Sequence, residues 1–120
     1  MHIVNRPRKN KKFRFQLLAD WIENHYEKCR VADIGGGKGL LSFFLDKKGF
    51  NSIVIDPLTQ SLPIKYTDVH NKKRIWILET ERVERVESAF EKDLARDFDL
   101  LVGLHVHGSC IKIIESAVEF

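Results

Sequence analysis

The sequence predicts an α/β domain built on a mainly parallel sheet, and three observations carry that prediction. Short apolar, β-branched runs recur along the chain: RVADI at 30–34, NSIVID at 51–56, KRIWIL at 73–78 and FDLLVGLHV at 98–106. Segments with amphipathic helical spacing lie between most of them. Four glycines fall within positions 35–39, directly after the first run, where a helix interior would lose about 1 kcal/mol for each of them.

Each element follows from local pattern. The stretch FRFQLLADWIENHYEK (13–28) puts Phe13, Leu17, Leu18, Trp21, Ile22 and Tyr26 on one helical face. A first strand spans 30–34, and a helix from about 38 to 47 buries Leu40, Leu41, Phe44 and Leu45 before Lys48 and Gly49 close it. NSIVID is a second strand covered on both faces, and Pro57 stops it. Residues 57–71 contain two prolines and little periodicity, so they read as loop. KRIWIL is the third strand. Thr80 caps a following helix with Val83, Val86, Phe90 and Leu94 on the core and Glu81 and Glu84 at its positive end. Residues 98–106 form the fourth strand, and Ser109 caps a last helix carrying Ile111, Ile114, Ala117 and Val118. Strands alternating with helices give right-handed crossovers and a Rossmann-like three-layer sandwich, with strand order 3-2-1-4.

The chain of 120 residues, 43% apolar and 31% charged, fits one core, with an arm at 1–12 and a single domain at 13–120. It has no apolar run long enough to span a membrane and no signal-peptide pattern at its start. Cys29 and Cys110 lack metal or redox spacing, so a reduced, cytoplasmic setting is expected and no metal site is. Arg6, Arg8, Lys9, Lys11, Lys12 and Arg14 form a basic N-terminal run without an acid. Such an arm can follow phosphates on RNA or DNA, with RNA (tRNA or rRNA) the expected partner, and the alternative is a solvated terminus.

The glycine loop leaves the first strand where the strand order reverses, the usual ligand crevice of such sheets. A phosphate-binding P-loop is excluded because Gly39 follows Gly37-Lys38 and Ala32 stands five before Gly37. A dinucleotide fingerprint started at Gly35 would need glycine or alanine at Leu40. Asp33, Gly35, Gly37 and Gly39 instead complete the pattern [DE]-x-G-x-G-x-G. Here the chain resembles the class I S-adenosylmethionine-dependent methyltransferases. The resemblance implies that the loop backbone passes alongside S-adenosylmethionine and that Asp33 favours its ammonium group. Asp56 ends the second strand, where an acid accepts hydrogen bonds from ribose hydroxyls. Glu79, ending the third, takes the family's place near the adenine, with Glu81 and Asp68 as alternatives and a helix-cap carboxylate as the non-binding reading.

The fourth run, DFDLLVGLHVHGSC, stands where family members approach the transferred methyl group. It is similar to a subgroup, some of whose members methylate tRNA, although His107 replaces a common cysteine. His105 and His107 are the candidate general bases. The amino-methylating signature [DN]-P-P-[FYW] is lacking, and a zinc site from His105, His107 and Cys110 has no fourth ligand. The match covers 13–120 and only the first half of the family's seven-stranded sheet. The fourth strand is then expected to be an uncovered edge, and the chain to associate through that strand and the last helix as a homodimer. The function expected is methyl transfer completed by self-association or a partner. The alternatives are a non-catalytic cofactor-binding module and a nucleic-acid-binding module with a vestigial loop.

Overall fold

A computed structural model of the chain describes residues 2–4 and 13–103. The chain runs through β1 (His2–Val4), α1 (Arg14–His25), β2 (Arg30–Ile34), α2 (Leu40–Lys47), β3 (Asn51–Ile55), β4 (Lys65–Thr67), β5 (Arg74–Trp76), β6 (Glu84–Val86), a 3-10 helix (Lys92–Asp97) and β7 (Leu100–Gly103). Five strands make one sheet in the order β1-β7-β2-β3-β6, and β4 and β5 make a separate pair. Every pairing in the large sheet is parallel.

Alternation along the central strands sorts the core into two layers. Val31, Leu100 and Val102 meet Leu18, Ala19 and Ile22 of α1 and Leu41, Phe44 and Leu45 of α2. On the opposite face Ala32, Ile34, Ile53, Ile55 and Leu101 meet Phe90, Ala95 and Phe98, around the 3-10 helix. Burial on both faces is why 30–34, 51–55 and 100–103 read as continuous apolar runs rather than alternating ones. No helix among the described residues is long and apolar enough to cross a membrane.

The α/β class and the parallel sheet agree with the sequence, and 51–55, 30–34 and 100–103 are neighbours in the expected order. The order 3-2-1-4 does not hold as a whole. The run at 73–78 forms a strand, but that strand pairs antiparallel with Lys65–Thr67 in the small sheet, inside the stretch expected to be loop. Its place beside β3 is taken by Glu84–Val86, in register with Ile53–Ile55. The helix expected after Thr80 is therefore absent: Val83 packs on the α1/α2 side and Phe90 on the other, so no single helical face could bury both. A turn closed by the Glu81 N–H on the Leu78 carbonyl leads into the strand instead. In α1 the expected apolar face is rotated, since Leu17 is exposed while Ala19 is buried.

The uncovered edge expected at the fourth strand is also corrected. His2–Val4 lie alongside Leu100–Val102, so the chain's own N-terminus covers β7. The first residues of the basic arm therefore belong to the sheet. The last expected helix, like His105 and His107, lies outside the described residues.

Candidate functional site

β2 delivers its last residues to a loop that α2 immediately continues. The loop bends through Gly37, with φ of +58°, to Gly39, with φ of +93°, which caps α2. Those angles favour glycine, and at Gly39 packing adds a second requirement. A Cβ there would lie 2.7 Å from Val83 Cγ2 and 2.9 Å from Arg85 Nη2. At Gly36 a Cβ would come within 2.7 Å of the Asp33 carboxylate. At Gly37, by contrast, its one near neighbour among the described residues would be Gln60 Nε2 at 3.7 Å. Thus Gly36 and Gly39 make room for the protein itself, while at Gly37 a side chain would meet no close obstacle among the described residues.

Asp33 is 3% exposed, and its side chain stands on the α2 side of β2. The Ser42 hydroxyl donates to Asp33 Oδ2 at 2.9 Å. Having spent its one hydrogen there, that hydroxyl accepts from Ser52 Oγ at 2.7 Å. Asp46 Oδ1 anchors the end of the chain by accepting the Ser52 N–H at 3.0 Å. Burial raises the Asp33 carboxyl to a pKa of about 6, against the opposing pull of the Ser42 donors and the Arg85 charge. At neutral pH it is a buried anion that no ion pair balances among the described residues.

Two neighbouring strands hold the loop. From the end of β3, Asp56 accepts the Gly37 N–H on Oδ2 and the Leu58 N–H on Oδ1, each at 2.9 Å. A carboxylate oxygen has a second lone pair, so each oxygen keeps capacity for a further donor. From β6, Arg85 Nη1 donates to the Gly37 carbonyl at 2.7 Å and Nη2 donates to the Lys38 carbonyl. The guanidinium fork fixes two successive carbonyls, a geometry lysine could not reproduce.

A cavity of about 230 Å³ lies beneath the loop, lined by residues 35–40, Asp33, Arg14, Phe15 and Pro63. It combines one buried acid with the bases Arg14 and Lys38, which suits a group carrying both charges. A second cavity, of about 560 Å³, opens between segments 59–64 and 77–85. Pro63 borders both, and Arg85 links the second to the loop.

The structure therefore brings together Asp33, Gly35, Gly37, Gly39 and Asp56. Glu79 is exposed in the turn after β5 and ends no strand of the large sheet, although it lines the larger cavity. Of its alternatives, Glu81 pairs with Lys47 at 3.2 Å. Asp68 closes the β4–β5 turn, accepting the His70 and Asn71 N–H groups, and takes a further bond from Gln16. Sequence reasoning placed Arg14 in the basic arm rather than at the site, and missed Arg85. Arg85 lies in ERVERVE, which reads as a helix because Val83 and Val86 stand three apart, the spacing of a helical face, whereas a strand alternates every two residues. No protein-family model, curated protein or solved structure matches the chain.

Proposed function

We propose that the chain has a Rossmann-like fold, binds S-adenosylmethionine across the carboxyl ends of β2 and β3, and serves methyl transfer. One observation carries the reading: a buried Asp33, in no ion pair among the described residues, lines a cavity under a glycine loop whose next strand ends in Asp56. The donor set fits the cofactor at both ends. Asp33 offers its charge to an ammonium, Arg14 and Lys38 offer theirs to the adjoining carboxylate, and Asp56 retains acceptor capacity for ribose hydroxyls. At Gly37, where the nearest side-chain atom to a Cβ among the described residues would be Gln60 Nε2 at 3.7 Å, the cavity lets a ligand approach the main chain.

The cofactor supplies an electrophilic methyl carbon on a sulfonium centre. The protein's share is positioning, which can contribute several kcal/mol to such a displacement. Asp33 and the loop fix one end, and Arg85 keeps the loop rigid. β7 ends at Gly103, beside Ile34 at the start of the loop. His105 and His107 follow within four residues in sequence and remain the proposed bases for an acceptor hydroxyl or nitrogen.

Calorimetric titration with S-adenosylmethionine and its demethylated product tests the binding reading. Both are expected to bind, and Asp56→Ala is expected to weaken binding tenfold or more, for a loss of about 1.5–3 kcal/mol. Unchanged affinity in a folded Asp56→Ala protein would reject the ribose assignment. Binding without turnover on any acceptor would leave a cofactor-binding module rather than an enzyme.

A further inference from the structure

We propose that the outer face of the β4–β5 hairpin is a contact site for single-stranded nucleic acid, with Trp76 as the stacking platform. The register pairs Lys65 with Trp76 and Thr67 with Arg74. Directly opposed residues share a face, and so do residues two apart along a strand. Lys65, Thr67, Arg74 and Trp76 therefore form one face, while Tyr66 on the other packs edge-on against Phe43 and Phe44. That inner packing anchors the hairpin and fixes which side chains point outward.

Trp76 is 63% exposed, so its ring is open to solvent on that face. The Lys65 ammonium sits 5.1 Å from its ring centroid. Lys73 and Arg74 make no side-chain hydrogen bond or ion pair among the described residues. Residues 65–76 hold four bases against one acid, and that acid, Asp68, is taken up by the turn. An indole between two cations on a rigid ribbon is the arrangement that stacks a base and neutralises the flanking phosphates. A duplex, whose bases are already stacked, cannot use the ring in this way. Two residues beyond Trp76, the exposed Leu78 borders the larger cavity, which Arg85 joins to the glycine loop. A strand stacked on Trp76 has its next nucleotide at that mouth. The contact itself needs no cofactor; its use in presenting a methyl acceptor rests on the methyl-transfer reading above.

Fluorescence anisotropy of the full chain with labelled oligouridylate and oligothymidylate dodecamers, and with a duplex of equal length, tests the contact without cofactor. Both single strands are expected to bind more tightly than the duplex, and a preference between them identifies RNA or DNA as the natural ligand. Trp76→Ala is expected to weaken binding about tenfold or more, and Trp76→Phe to restore most of the loss. Lys65→Gln with Arg74→Gln should lower the log–log salt slope by about 1.4, two phosphates at roughly 0.7 each. Oligonucleotide should also quench tryptophan emission in the wild type and not in Trp76→Phe, a readout that residues 1–12 cannot supply. Unchanged affinity in Trp76→Ala, absence of quenching, or no binding by the wild type would overturn the proposal. So would a wild-type dimer that Trp76→Ala dissociates while oligonucleotide affinity is unaffected, since the face would then be a protein interface. None of these outcomes touches cofactor titration, so the two readings fail separately.

Discussion

Asp33→Asn is expected to make the protein more stable at neutral pH and unable to bind S-adenosylmethionine. Burial raises the Asp33 carboxyl from 3.8 to about 6. Between those values the folded chain keeps a proton that the unfolded chain has lost, so stability falls as pH rises from about 4 to about 6 and stays lower above. The interval corresponds to about 3 kcal/mol. Asparagine retains the shape and can still accept the Ser42 hydrogen bond, but it carries no charge into the interior. Urea titrations from pH 4 to 8 should show the variant gaining on the wild type across this window, by up to about 3 kcal/mol at pH 7. The difference between the two proteins isolates Asp33, because other titrating carboxylates cancel. A constant difference across the window would mean that the carboxylate is solvated and the site is not built as described. Wild-type affinity for the cofactor should fall on acidification through about pH 6, because the protonated acid no longer attracts an ammonium. A residue that costs stability and gains only binding has the signature of function.

The parts of this site legible in the sequence are those where local chemistry and tertiary position agree. RVADI, the glycine loop, LLSFFLDK and NSIVI form one continuous unit: a buried strand, a turn whose positive φ angles favour glycine, a helix and a second buried strand. Asp33 and Asp56 sit at strand ends that apolar runs define, so their placement came with the strands. Residues 57–99 were harder for a physical reason. β6 is an edge strand with one neighbour, so most of its side chains face water and its pattern is charge rather than hydrophobicity. KRIWIL has the composition of a buried strand, yet Arg74 and Trp76 are exposed, because a hairpin packed on one side needs only one apolar face. Pairing of His2–Val4 with β7 depends on contacts nearly a hundred residues apart, and no local pattern in three residues announces it.

The second large effect separates glycines that serve the fold from the one that serves a ligand. Gly39→Ala is expected to cost about 2–5 kcal/mol, from the left-handed backbone angle and from overpacking against Val83 and Arg85. Part of that cost is displacement of the Arg85 fork, so β6 and the loop should loosen together. Gly37→Ala makes only an ordinary contact with Gln60 Nε2 at 3.7 Å and keeps its N–H for Asp56, leaving mainly the backbone cost of about 1–2 kcal/mol. Gly37→Val adds bulk on the open side, where a bound ligand would approach the chain. Urea denaturation should therefore rank Gly39→Ala well below Gly37→Ala. Calorimetry should find Gly37→Val folded and without measurable cofactor affinity. Equal destabilisation by the two alanines would mean that Val83 and Arg85 do not pack on the loop, removing β6 from the site. A Gly37→Val protein that binds S-adenosylmethionine normally would show that this glycine, like Gly36 and Gly39, answers only to the fold, and the cofactor would have to be sought away from the loop.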